Sequence, residues 1–238
     1  MSGYLEVRDI AKRYSGVVAL GGVSFDMEPG EILAVLGPNG SGKTTLFNVI
    51  SGFTQPSSGT ITFRGRSTAG KRPNQLVRNG ITRSFQQSMS FASFTVRENL
   101  EIAPQAGRSA DQRANVDELL DICQLTGVAD MPSSSLPYGI QRQLGVAIAL
   151  STAPQLVLLD EPAAGLSETE AEALASVIRV LPEHDVGVIC IDHNLPFLLP
   201  IAHRVIVLDA GVKIFEGTPA EVRVSPPVIE AYLGAGNA

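Results

Sequence analysis

Gly37, Gly42, Lys43 and Thr44 stand at the spacing G-x-x-x-x-G-K-[ST] within the run Ile32-Leu-Ala-Val-Leu-Gly-Pro-Asn-Gly-Ser-Gly-Lys-Thr-Thr45. Glycines open backbone angles closed to other residues, so successive N–H groups can turn toward one anion. An apolar run before the loop and a polar, helix-compatible segment after it supply the strand-loop-helix context that this P-loop chemistry requires. The unpaired donors and positive dipole end of such a helix suit the phosphates of a nucleotide. Its contacts are expected from Asn39, Gly40, Ser41, Gly42, Lys43, Thr44 and Thr45. Lys43 is expected to reach the β- and γ-phosphates, and the Thr44 hydroxyl to ligate Mg2+.

Other points in the chain carry chemistry of a matching kind. Asp160-Glu161 closes the apolar run Leu156-Val-Leu-Leu159, and His193 follows the run Val186–Ile191. Four aliphatics without alternation imply a strand covered on both faces of a parallel sheet, and ligands sit at the carboxyl ends of such strands. Asp160 is the residue type that holds Mg2+ through water, and Glu161 can accept a proton from an attacking water. Alone, the acid pair reads equally as a helix-capping turn, and the histidine as a satisfied core residue. With the P-loop at the same end of the sheet, they read as a phosphoryl-transfer site. Tyr14, beside Lys12 and Arg13 in loop-like surroundings, is either a stacking surface for a base or edge packing.

The elements that must position these residues follow from the pattern. Leu5–Arg8 and Val23–Met27 alternate, as antiparallel strands with one wet face do. Gly59–Phe63 reads as a strand, Arg64-Gly65-Arg66 as a turn and Ile81–Phe85 as a further strand, while the polar residues 66–80 carry no assigned role. From Gln86 to Pro137 strand signals vanish, and Val96–Leu100, Val116, Leu119, Leu120 and Cys123 recur at helical spacing. Gly139–Leu150 is a helix candidate, Ser167-Glu-Thr-Glu170 a capping box that opens a helix to about Leu181, and Thr218-Pro-Ala-Glu221 a second box with proline at the first helical position. Strands alternating with helices give an α/β core.

With 238 residues, of which 44% are hydrophobic, the chain can build a sizeable core. A net charge of −6 argues against a nucleic-acid partner, because binding a phosphate backbone needs a basic footprint. The N-terminus lacks a signal-peptide pattern, and no stretch is apolar for the length of a membrane helix, so a membrane role is expected through partner chains. Cys123 and Cys190 lie far apart in apolar surroundings and are expected in the core, which suits a reducing compartment.

Taken in order, these motifs resemble the ATP-binding subunits of ABC transporters, over Leu5 to Leu233. The resemblance implies that Gln86 is the Q-loop glutamine, contributing to catalysis and to the metal with Thr44 and Asp160. It implies that Leu136-Pro-Tyr-Gly-Ile-Gln141 is the signature, with Pro137, Tyr138, Gly139, Ile140 and Gln141 facing ATP held by another subunit. Asp160-Glu161 becomes the Walker B end, His193 the switch histidine and Tyr14 the aromatic under adenine. It further implies an α/β fold: a P-loop NTPase core with a mainly parallel sheet, an N-terminal antiparallel β subdomain and an inserted helical subdomain. The whole is one ABC ATPase domain, with its core in residues 1–86 and 151–238 and the helical part, signature included, in 87–150. The signature, Glu161-Pro-Ala-Ala-Gly-Leu166, Thr82-Arg-Ser-Phe-Gln86 and Ala231-Tyr-Leu-Gly234 resemble the branched-chain amino acid importer subfamily, whose relatives include importers of urea and short amides.

The implied partners are transmembrane permease subunits, a second ATPase subunit, identical or not, and indirectly a substrate-binding protein, with the chain at the cytoplasmic face of the membrane. Met89, Phe91 and Phe94 form an apolar group in a polar setting, which reads as a surface for a partner helix or as a cap on the local core. The signature departs from the usual Leu-Ser-Gly-Gly-Gln: Pro137 removes a hydroxyl and an N–H, leaving the Gly139 N–H and the helix behind it as the anion site. Ser167 and Asn194 stand where the family often has aspartate. Two alternatives compete with a transport subunit. A soluble ABC ATPase would purify without a membrane partner, and a regulatory nucleotide-binding subunit would show weak hydrolysis in the assembled complex.

Overall fold

A computed structural model of the chain describes residues 3–84, 90–102 and 114–234. The chain opens with a long hairpin, β1 (Leu5–Tyr14) and β2 (Val17–Met27). Its turn, Ser15-Gly16, has φ of 42° and 95°, the positive angles that let a two-residue turn follow the strand twist. The ladder therefore zips to the Tyr14–Val17 pair, and Tyr14 ends a strand rather than sitting in a loop.

The apolar run before the P-loop is β3 (Ile32–Leu36), followed by α1 (Lys43–Ile50). Then come β4 (Ser58–Phe63), β5 (Arg66–Ser67), α2 (Pro73–Arg78) and β6 (Ile81–Arg83). The stretch left without an element by its polarity thus holds a short strand and a helix with proline at its first turn, where the missing N–H costs nothing. Among the described residues three helices, α3 (Val96–Ile102), α4 (Val116–Ile122) and α5 (Tyr138–Leu150), separate β6 from β7 (Leu156–Asp160). The chain closes with α6 (Glu168–Val180), β8 (Gly187–Ile191), α7 (Leu195–Leu198), β9 (Arg204–Asp209), β10 (Val212–Gly217), α8 (Pro219–Val222) and α9 (Pro226–Gly234).

Two sheets result. A four-stranded antiparallel sheet has the order β2-β1-β4-β5, and a six-stranded sheet the order β10-β9-β3-β8-β7-β6, parallel except for β10. Every residue of β3, β7 and β8 is buried, because both faces of the larger sheet are covered. Ile32, Ala34, Leu36, Val157 and Leu159 pack with residues of α3 to α6, whereas Leu33, Val35, Leu156 and Leu158 pack with α1 and the antiparallel sheet. This is the α/β architecture expected, with the antiparallel sheet at the N-terminal side and the helices inserted between β6 and β7. Both capping boxes form: Ser167 Oγ accepts the Glu170 N–H at 3.4 Å, and Thr218 Oγ1 accepts the Glu221 N–H at 3.3 Å. Cys123 and Cys190 are buried and unpaired, and burial pushes the Cys123 thiol up to about 12.

Candidate functional site

The glycine loop between β3 and α1 is wedged against two neighbours, and that explains two of its glycines. A Cβ on Gly37, whose φ is 147°, would lie 2.1 Å from the Leu208 carbonyl oxygen of β9. One on Gly42, at φ 103°, would lie 2.6 Å from the Ala19 carbonyl oxygen of β2. Gly42 is the N-cap of α1 and brings no side chain, and no acidic residue stands in the first turn, so the side chains leave the helix-start donors free. Lys43 Nζ is held over the loop by the Gly37 and Pro38 carbonyl oxygens, at 2.8 and 2.9 Å. Partial burial lowers its pKa, and Glu161 and Asp160 act in the opposite direction, which puts both acids within electrostatic reach of the loop. The Ser41 hydroxyl is buried without a hydrogen-bond partner among the described residues. An orphaned hydroxyl, free helix donors and a positioned ammonium fit a polyphosphate. Asn39, Gly40 and Thr44 are exposed and Thr45 is half-buried, so the loop is open to a ligand. Tyr14 is also exposed at the hairpin end, with Lys12 Nζ 5.0 Å from its ring centre.

At the end of β7 the backbone turns sharply. Glu161 has φ 47°, a left-handed angle that costs a non-glycine residue about 1–3 kcal/mol, and its N–H donates to the Ile191 carbonyl at the end of β8, at 2.8 Å. That bond ties the Asp160-Glu161 strand end to the His193 strand end. Accordingly His193 Nδ1 lies 3.8 Å from Glu161 Oε1, the histidine well exposed and the glutamate about one-third exposed. Asp192, whose Oδ1 lies 3.9 Å from His193 Nδ1, was not singled out by its sequence. It is buried; its Oδ2 accepts the Ala163 N–H at 3.0 Å and its Oδ1 the Asn194 N–H at 2.9 Å. Burial raises its pKa, an effect only partly offset by those two hydrogen bonds. Its one signal in the sequence was adjacency to His193. Asn194 has a local reason of its own: its side chain caps α7 by accepting the Phe197 N–H at 3.2 Å.

Asp160 carries a partner that the sequence did not announce. Arg83 Nη2 reaches Asp160 Oδ2 at 2.5 Å, and the same guanidinium donates to Asn48 Oδ1 at 2.7 Å with the Phe47 and Phe53 rings beside it. Asp160 and Thr44 offer only oxygen donors, the set a hard cation such as Mg2+ takes. Gln86 and Met89 lie outside the described residues.

The signature begins α5, with Pro137 as an N-cap that has no side-chain donor or acceptor. Its place is filled from α6: Glu170 Oε1 accepts the Gly139 N–H at 3.1 Å while Oε2 accepts the Ser167 N–H at 2.9 Å. These bonds, led by those to Ser167, hold the Glu170 carboxyl below its ordinary pKa. The N–H that the sequence left free for an anion is therefore already engaged in this structure. Tyr138 Oη donates to the Ala164 carbonyl at 3.1 Å, so the signature leans on the loop that follows Glu161. Gln141 Nε2 donates back to the Leu136 carbonyl at 2.9 Å, and Ile140 is partly buried against the helical core. A last unexpected contact comes from the C-terminal helix, where the Tyr232 hydroxyl accepts the Gly37 N–H at 3.0 Å.

This arrangement can be compared with known proteins. The ABC transporter family model matches residues 20–164, and that of the branched-chain amino acid ATP-binding cassette transporter matches residues 212–238. The chain belongs to the ABC transporter ATP-binding family. It is 35% identical to the high-affinity branched-chain amino acid transport ATP-binding protein BraF of Pseudomonas aeruginosa, over 97% of each chain. It is 36% identical to LivG of Salmonella typhimurium, a protein of the same description, again over 97% of each. Among solved structures, an ATP-binding cassette of an ABC transporter in its ADP conformation superposes with a TM-score of 0.87 at 28% identity, covering 98% of this chain and 100% of that one. No helix among the described residues of this ABC ATPase is long and apolar enough to cross a membrane.

Proposed function

We propose that the chain is the ATP-hydrolysing subunit of an ABC importer, working as one half of an ATPase dimer at the cytoplasmic face of a membrane through permease subunits. The observation that carries this reading is the pairing of Glu161 with His193 at 3.8 Å across adjacent strand ends, in electrostatic reach of Lys43. Substrate class is proposed from the relatives, whose names specify branched-chain amino acids. Uptake of those or of related amino acids and amides, delivered by a binding protein, is the reading we adopt.

Within it, the P-loop residues Asn39 to Thr45 hold the phosphates of ATP, and Tyr14 offers its exposed ring to the base. Thr44, Asp160 and Gln86 hold Mg2+, which neutralises charge on the phosphates when bound. Glu161 takes the proton of the attacking water, and His193 contacts the γ-phosphate. Residues 137–141 meet ATP on the opposite subunit, and the helical part, 87–150, carries the surface for the permease. Phe91 and Phe94 support that last assignment: both are exposed and their rings meet edge-to-face at 5.7 Å.

The test is Glu161→Gln in the purified native complex, whose co-purifying chains identify the permease. Hydrolysis should fall roughly 10²–10⁴-fold with ATP binding retained. Near-normal turnover would remove Glu161 from the mechanism, and purification without a membrane partner would favour a soluble ABC ATPase instead.

A further inference from the structure

On the side of the larger sheet away from the P-loop, a cavity of about 330 Å³ opens between the β4–β5 turn, the end of α2 and the starts of β6 and β7. Ile81 opens β6 and Gln155 immediately precedes β7, so the cavity lies at the amino ends of these two strands, of which β7 carries Asp160 and Glu161 at its carboxyl end. A strand of this length separates the two ends by about 16 Å.

Three arginines, Arg64, Arg66 and Arg78, line it, and no carboxylate does. Five described arginines elsewhere in this acidic chain find acids, Arg8 with Asp26, Arg83 with Asp160, Arg97 with Asp117, Arg179 with Glu172, and Arg204 with Glu31 and Glu216, whereas Arg13, Arg72 and Arg223 form no ion pair among the described residues. The three lining guanidiniums form no ion pair among the described residues, although the chain carries six more acidic than basic side chains. The side-chain amides of Asn79 and Gln155, also in the lining, make no hydrogen bond among the described residues. Like charges gathered without a counter-charge repel one another, and guanidinium forks match phosphate oxygens in pairs.

The backbone adds a second observation. Arg64 sits at φ 50° and Gly65 at φ 71°, so the β4–β5 turn holds an arginine in a left-handed position that glycine or asparagine takes at less cost. Its N–H donates to the Tyr4 carbonyl at 2.7 Å, which fixes the turn over the cavity. A large cation kept at a strained position points to a use for its side chain.

We propose that this cavity binds a small soluble anion carrying two or more phosphate charges, at a site separate from the ATP site. A volume near 330 Å³ suits a diphosphate or a small phosphorylated metabolite rather than a macromolecule. Apolar Phe63 and Ile81 give the site a floor that limits hydration of the ligand.

The test is calorimetric titration of the full chain with pyrophosphate at constant ionic strength, after the P-loop has been saturated with ADP. One saturable site is expected, weakened at least tenfold in Arg78→Glu and abolished in Arg64→Gly with Arg66→Ala. Arg78→Glu lies on an exposed helix end and keeps the test valid if the double variant folds poorly. Absence of saturable binding in the ADP-loaded protein, or affinity unchanged in Arg78→Glu, would overturn the proposal.

Discussion

Replacing Asp192 by asparagine tests how the site is held together. The buried carboxylate accepts one N–H from Ala163, two residues past Glu161, and one from Asn194, next to His193. It therefore spans the two loops whose side chains, Glu161 and His193, lie 3.8 Å apart. Asparagine keeps one acceptor oxygen and turns an NH2 group toward the other N–H, leaving one buried donor unpaired at a cost of about 1–3 kcal/mol. Alanine would leave both unpaired, about 2–6 kcal/mol, so the amide is the cleaner probe.

The kinetic consequence should exceed the stability loss in specificity. ATP contacts are assigned to the P-loop, which Asp192 does not touch, whereas Glu161 and His193 lose their fixed spacing. A displacement of about 1 Å at reacting groups costs on the order of 10²-fold in rate. In steady-state ATPase assays of the assembled complex, Asp192→Asn should lower kcat about 10–100-fold and leave KM for ATP within about twofold. There is also a pH signature. Burial raises the native carboxyl pKa above its unfolded value, so the folded state binds more protons in that window and unfolding free energy falls as pH rises through it. The amide cannot titrate. Wild-type stability relative to Asp192→Asn should be greatest on the acid side of the window and decline as pH rises through it. Unchanged kcat, or denaturation midpoints that stay parallel across that range, would refute the positioning role.

Pro137→Ser restores a hydroxyl and an N–H to an N-cap whose φ of −55° and ψ of 152° already suit serine. ATPase activity of the assembled complex should rise severalfold, and an unchanged rate would count against any role for position 137. Ser167→Ala removes the hydroxyl half of the α6 capping box and should cost about 1 kcal/mol. For a domain of this size that is a fall in Tm of about 2–4 °C by differential scanning calorimetry, and no fall would mean that Glu170 is anchored mainly by Gly139.

What was legible in the sequence was whatever chemistry is local. The P-loop, both capping boxes and the fully buried strands each depend on residues adjacent in the chain, and each formed where its pattern stood. Tyr14 was misread as a loop residue because strand length here is set by the Ser15-Gly16 turn, which zips the ladder beyond the alternating residues. Arg83, Asp192, Glu170 and Tyr232 were missed as site neighbours for the opposite reason. Their partners lie 77 residues away for Arg83 with Asp160, 31 for Glu170 with Gly139 and 195 for Tyr232 with Gly37, and no spacing rule reaches across a sheet.

Glu170 shows what such a long-range contact changes. Read locally, it completes the capping box of α6; in the fold its second oxygen also covers the start of α5, where Pro137 brings no cap. In the dimer proposed above, a phosphate from the opposite subunit and Glu170 compete for the same Gly139 N–H. The two carboxylate oxygens divide the work: Oε2 is held by the Ser167 N–H and hydroxyl, whereas Oε1 alone faces Gly139. Rotation of the side chain about its anchored oxygen can then release Gly139 without moving either helix. Hydrogen bonds to Ser167 and Gly139 hold the Glu170 carboxyl below its ordinary pKa, so it is a charged acceptor for the helix start. A signature that has lost its serine therefore rests satisfied within its own chain, and in the proposed dimer the γ-phosphate would displace a carboxylate rather than find an empty donor.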